Sequence, residues 1–144
     1  MSTQKFTSSN QSPSPHILVM KSERKSISMV EPFLNTLLEF QSLEETRWFN
    51  ILIAVTEAVN NAIIHGNQSN PAKQVTLSVA QDGNDIVISV QDEGLGFNPA
   101  AIRDPREPDN LLREGGRGVF LIQALAKSVE YPKTQIGSLV VMRF

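Results

Sequence analysis

Apolar and polar positions change their rhythm several times along the chain, and each change marks an element. "HILVMK" (16–21) is a short apolar run bounded by polar residues, which predicts a strand buried on both faces or the start of a strand. Ile27, Val30, Phe33, Leu34, Leu37 and Leu38 then recur at helical spacing and predict a helix from about Ser28 to Phe40. Ser28 and Glu31 fit a capping box for it, and Pro32 falls in the first turn, where its missing N–H costs nothing. A second capping box, Ser42 with Glu45, predicts a longer helix that runs to Gly66, a residue suited to a left-handed C-terminal cap.

From Gln74 the period becomes two. Val75, Leu77 and Val79 alternate with Thr76, Ser78 and Ala80, and Ile86, Ile88 and Val90 alternate with Val87, Ser89 and Gln91. "DGND" (82–85) supplies the hairpin turn between them. Strands with one apolar face predict an antiparallel sheet covered by helices on one side only, an α+β arrangement. Between Phe97 and Glu114, three prolines and many charges leave an irregular loop with a hint of a helical turn near Ala100; a loop of that length in a compact domain implies a use. "VFLIQALAKSV" reads as a nearly all-apolar helix, followed by strands around Val129 to Tyr131 and in "SLVVMRF". No internal repeat appears.

The longer helix carries an unusual amount of polarity. In "EAVNNAIIHGN" (57–67), setting Glu57 at zero on a helical wheel puts Asn61 at about 40°, His65 at about 80° and Asn60 at about -60°. Trp48, Leu52, Val55, Val59 and Ala62 fall between about 140° and 220°, opposite the polar residues. Solvated helix faces usually carry Lys and Glu in i,i+4 pairs, whereas this face offers short amides and an imidazole. Glu57 can take a proton from a hydroxyl or orient a water, and Asn61, one turn on, can offer a carboxamide oxygen to Mg²⁺. His65 is suited to steadying a neighbouring ligand or accepting a lid contact, and equally to bonding backbone carbonyls at the helix end.

Two further stretches have chemical potential. In "VQDEGLGF", Asp92 stands where a strand ends and Gly94 and Gly96 follow, so a carboxylate meets backbone that a ligand can approach closely; Asp92 could accept a hydrogen bond from an exocyclic amine such as that of adenine. In "REGGRGVFLI", Gly115, Gly116 and Gly118 run into the apolar helix, and free amides at a helix start suit phosphate, with Arg113 or Arg117 adding charge. The lysine and Ser/Thr of a P-loop are missing. Each stretch alone is weak evidence.

Composition narrows the function classes. The 144 residues are the size of one domain, with 40% hydrophobic and 19% charged residues. A formal charge of -2 argues against nucleic acid as a direct partner. The absence of cysteine excludes disulfides and thiol chemistry, and two histidines far apart make zinc improbable. No apolar run reaches membrane-spanning length, and "MSTQKFTSSNQSPSP" (1–15) lacks the order of a signal peptide and reads as a flexible tail. The expectation is a single soluble, cytoplasmic domain over 16–144.

An Asn-bearing helix, Asp-x-Gly-x-Gly after a strand, a proline-interrupted loop and a Gly-rich helix start, in that order, resemble the N, G1, lid and G2 boxes of the GHKL ATPase and kinase superfamily. The resemblance covers roughly residues 16–144 and is strongest to the stand-alone anti-sigma-factor serine/threonine kinases, above all in "EAVNNAIIHG". It implies a Bergerat fold, a two-layer α/β sandwich whose mixed, mostly antiparallel sheet carries helices on one face, with a lid at about 97–114. It implies ATP and Mg²⁺, with Glu57 as general base and Asn61 as the Mg²⁺ ligand. It implies Asp92 as the reader of the adenine amine, Gly94 and Gly96 as the G1 glycines, and Gly116 and Gly118 in the phosphate loop. His65, Arg113, Gly115 and Arg117 complete the expected ATP site. These kinases often carry an arginine just before the G2 glycines; here Glu114 stands there, flanked by Arg113 and Arg117, and which arginine serves stays open. The implied substrate is a small anti-anti-sigma (STAS-type) protein, the implied competing partner a sigma factor, and the open sheet face could support a homodimer as in relatives.

Sensor histidine kinases share these boxes but need a helical hairpin with a phosphoaccepting histidine, for which this length leaves no room. Gyrase-like and chaperone ATPases need further domains. The rival from another class is a nucleotide-gated binding module that sequesters a partner without phosphotransfer. Glu57 favours the kinase, because a binder needs no base.

Overall fold

The computed structural model describes residues 14–37, 42–95 and 116–144. The expected N-terminal tail lies almost wholly outside them, as does the expected lid, together with Gly96, Arg113 and Gly115.

Five strands form one sheet in the order β1-β2-β3-β5-β4: β1 His16–Lys21, β2 Gln74–Asp82, β3 Asp85–Gln91, β4 Ser128–Glu130 and β5 Leu139–Arg143. Every pairing among them is antiparallel, so the expected mostly antiparallel sheet is wholly so in the described residues. The β2–β3 hairpin turns at Gly83 and Asn84, with Gly83 in the left-handed region (φ 61) that glycine reaches without penalty. The register sets Leu77 opposite Val90 and Val79 opposite Ile88, and Ile88 opposite Met142, which lines the apolar positions up on one face.

Helices cover that face. A 3-10 helix, Arg24–Met29, leads into α1 (Val30–Asn35); α2 spans Glu45–Asn61 and α3 spans Gly116–Leu125. Ile51, Val55, Val59 and Ile63 meet Val75, Leu77, Val79, Ile88 and Met142 in one buried cluster, each such side chain contributing roughly 1.5–3 kcal/mol by leaving water. Trp48 and Leu52, from the expected stripe of α2, pack at the edge of that cluster and are only partly buried.

Several local expectations fail for identifiable reasons. β1 is an edge strand buried on one face only: Met20 is covered, while Ile17 and Val19 stand on the open face at 56% and 48% exposure. The helix expected from Ser28 is preceded by 3-10 backbone, and Ser28 sits inside it, donating its hydroxyl back to the Lys25 carbonyl at 2.7 Å. It therefore cannot cap, and α1 starts from Met29 with no side-chain cap. Likewise α2 starts from Glu44, not Ser42, and has no side-chain cap; Ser42 lies two residues too early to reach the first turn.

The end of α2 departs most from expectation. The helix continues to Gly66, but over Ala62–Gly66 it widens into a π turn closed by the Asn67 amide on the Ala62 carbonyl at 2.8 Å. Gly66 is not left-handed; Gln68 (φ 53) and Ser69 (φ 55) reverse the chain instead.

Candidate functional site

The site forms where α2, α3 and the end of β3 converge. Asp92 follows β3 and is buried at 6% exposure. Its backbone amide bonds the Ser138 carbonyl at 3.0 Å, while its Oδ1 accepts the amides of Gly94 at 2.9 Å and Ser138 at 3.0 Å. Two amides on one oxygen fix the carboxylate's orientation. Oδ2 takes no hydrogen bond from the described residues and lies against the Cα of Gly66, where a Cβ would overlap it. A Cβ on Gly94 would overlap the Gly66 carbonyl, and one on Gly137 the Asp92 carbonyl. Three glycines therefore let three backbone segments close around one carboxylate.

Beside Asp92 runs a narrow slot of about 50 Å³, lined by Ala58, Asn61, Ala62, Val119, Ile122 and Val140 among others. The Ser138 hydroxyl is buried in its wall with no hydrogen-bond partner among the described residues. Burial also raises the Tyr131 phenol above its ordinary pKa, as expected in an apolar wall. An apolar slot with one oriented carboxylate oxygen and a spare hydroxyl suits the edge of a flat ring that bears an amine.

Asn61 lines this slot and also a second, open cavity of about 630 Å³, so the two adjoin through it. The second cavity holds Glu57, Asn60 and Asn61 from α2, with Arg117 and Gly118 from α3. Gly118 lies so close that a Cβ there would come within 2.9 Å of Glu57 Oε2 and 3.0 Å of Asn61 Nδ2. The α3 start is thereby set against the proposed base and the proposed cation ligand. Ile27, Ile64, Phe120, Leu121 and Ala124 also line this cavity, so its wall is mixed in character; Asn61 and Arg117, beside Gly118, give it groups that suit a phosphate tail.

Glu57, Asn61, Asp92, Arg117 and Gly118 are thus brought around two adjoining cavities, and Gly94 supports Asp92. Gly116 opens α3. His65 is exposed on the π turn and is not among the residues that line either cavity.

Sequence reasoning missed Asn67, which is 1% exposed. Its Nδ2 donates to Ser22 Oγ at 2.7 Å and to the Gln74 carbonyl at 2.9 Å, and its Oδ1 accepts the Glu93 amide at 2.8 Å. It thus ties the π turn to the end of β1, the start of β2 and the Asp92 loop. Asn67 closes the quoted polar stretch, so composition signalled it, but its partners are remote in sequence. Ser138, Tyr131 and Gly137 carried no signal of their own.

Comparison with known proteins fits this geometry. A family description, the histidine kinase-like ATPase domain, matches residues 20–144. The chain belongs to this family. Serine-protein kinase RsbW of Oceanobacillus iheyensis is 31% identical over 109 residues, which are 72% of this chain and 65% of that protein. Anti-sigma F factor of Clostridium perfringens is 32% identical over 99 residues, 65% of this chain and 69% of the relative. The chain thus spans about two thirds of the length of these relatives. The crystal structure of the RsbU and RsbW domains of a Mycobacterium tuberculosis protein shares the fold, with a TM-score of 0.62 at 16% identity over 90% of this chain and 31% of that one. As a histidine kinase-like ATPase domain, the chain has the fold that the order of its motifs implied.

Proposed function

We propose that this protein is an ATP-dependent serine/threonine kinase and anti-sigma factor. In this reading it transfers the γ-phosphate to a small anti-anti-sigma protein of the STAS type and sequesters a sigma factor in the cytoplasm. One observation carries the reading: Glu57 and Asn61 face the α3 start at one end of a pair of adjoining cavities whose other end holds the buried, oriented Asp92. The names of the relatives, a serine-protein kinase and an anti-sigma factor, support it.

The adenine would enter the apolar slot with its exocyclic amine donating to Asp92 Oδ2. The phosphates would lie along α2 toward the amides at the start of α3, with Arg117 nearby. Among the described residues no cluster of three carboxylates or imidazoles exists that could hold a metal, whereas the Asn61 carboxamide reaches the phosphate end. That donor set fits Mg²⁺ held by Asn61 together with phosphate oxygens and water, supplying charge neutralisation when bound. Glu57 accepts the proton of the acceptor hydroxyl as its oxygen bonds the γ-phosphorus. The bond from that phosphorus to the bridging oxygen breaks, and ADP leaves with the electron pair.

Purified protein and its Glu57→Gln variant, incubated with γ-labelled ATP, Mg²⁺ and a lysate of the source organism, test the reading. A small protein labelled by wild type and not by the variant, with nucleotide affinity retained, is the expected result. ATP binding without any Glu57-dependent label would replace the kinase by a nucleotide-gated binding module.

A further inference from the structure

The larger cavity has a wall that no motif supplies. Arg24, the first residue of the 3-10 helix after β1, lines it together with Glu57, Asn60 and Asn61 of α2 and Arg117 and Gly118 of α3. Arg24 is exposed and makes no ion pair or hydrogen bond with the described residues, while its neighbour Lys25 pairs with Glu23 at 3.4 Å. Among the described lining residues Arg24 and Arg117 are the two cations and Glu57 is the one anion.

The backbone that carries Arg24 is held firmly. Ser22, two residues earlier, is fully buried; its amide and hydroxyl both bond the Lys73 carbonyl, at 3.1 and 2.9 Å, and its oxygen accepts Asn67 Nδ2 at 2.7 Å. Ser26, two residues later, is buried and its amide bonds the Glu23 carbonyl at 2.9 Å. A guanidinium with no partner among the described residues, on an anchored turn and lining the same open cavity as the proposed base, is placed to meet a polyanion at small entropic cost.

We propose that Arg24, from its place in the lining of this cavity, contacts the terminal phosphate of ATP and so makes the site prefer ATP to ADP. The inference rests on the nucleotide-binding reading above. Arg117 and the α3 amides meet the phosphate tail at the α3 end of the cavity, and Arg24, lining the same cavity as Glu57, adds a second cation to balance its charge. A planar guanidinium can hold two phosphate oxygens at once, which a point charge cannot.

Calorimetric titration of the full chain with a non-hydrolysable ATP analogue and with ADP, each with Mg²⁺, tests this. Arg24→Ala is expected to weaken the triphosphate by roughly tenfold, the size of one charge-assisted hydrogen bond, and ADP by less than about twofold. Arg24→Lys should recover part of the loss, and Lys25→Ala should match wild type with both nucleotides. If Arg24→Ala weakened both nucleotides equally, or neither, the inference would be overturned while the nucleotide site stood. Wild-type protein that bound neither nucleotide would overturn the site reading and this inference together.

Discussion

Gly66 and Asp92 are packed so closely that a methyl group on the first would overlap the free carboxylate oxygen of the second. The glycine that ends the π turn thus sets the position of the carboxylate proposed to read the nucleotide base. Gly66→Ala should force Asp92 or the helix end aside, destabilising the fold by about 1–3 kcal/mol, as overpacking does. Nucleotide affinity should fall by roughly tenfold or more, since a misplaced carboxylate leaves the base amine unpaired. Denaturant unfolding and calorimetry on the same preparation check both halves.

Asn67 is expected to matter to stability more than its single side chain suggests. Asn67→Ala removes three hydrogen bonds from a buried position and strands the Glu93 amide and the Gln74 carbonyl, at a cost of about 2–4 kcal/mol. Asn67→Asp keeps the shape but exchanges the donor for an acceptor facing Ser22 and the Gln74 carbonyl, so it should be no better tolerated. Urea midpoints of the two variants would decide, and midpoints within error of wild type would remove the tie assigned to this residue.

Gly118 separates chemistry from folding. A Cβ there meets the ends of the Glu57 and Asn61 side chains, which can rotate away, so Gly118→Ala should cost less than about 1 kcal/mol of stability. Displacing both groups should lower the proposed phosphotransfer by at least roughly tenfold, because such transfer depends on positioning. Equal phosphotransfer rates for wild type and variant would show that the close approach of α3 to Glu57 has no catalytic consequence.

At low pH one surface pair should register. Lys127 donates a hydrogen bond to Asp85, and with Arg143 nearby this holds the Asp85 carboxyl below its ordinary value of 3.8. The folded-state pKa is depressed, so the contribution to stability is present above 3.8 and lost as pH falls through the lower folded value. Wild type should therefore lose slightly more stability than Asp85→Asn on acidification through that window. Parallel acid unfolding curves for the two proteins would count against the pair's role. The effect is small because the pair is exposed.

Repeating patterns and local chemistry were legible in the sequence. Period-two runs identified β2 and β3 and their turn at Gly83, and helical spacing identified α2 and the apolar helix that became α3. The order of Glu57, Asn61, Asp92 and the glycines indicated the nucleotide-type site, and the structure brings Glu57, Asn61 and Gly118 to one cavity. Such signals survive because they depend on neighbours within a few residues.

What lay beyond the sequence depends on contacts between distant segments. Asp92 is oriented by Ser138, 46 residues away, and Asn67 reaches Ser22 across 45. Neither pairing has a local pattern to announce it. The helix starts failed for a related reason, since Ser28 and Ser42 had suitable neighbours but lay outside the turns that packing selected. The π turn, closed by the Asn67 amide, sets Asn67 in the interior and leaves His65 exposed. Sequence by itself determined which elements form and which chemistry they carry, because periodicity and side-chain type are local. Tertiary structure decided where the helices start and end, which glycines are closed upon and which polar groups meet, because those outcomes are settled by packing over the sheet.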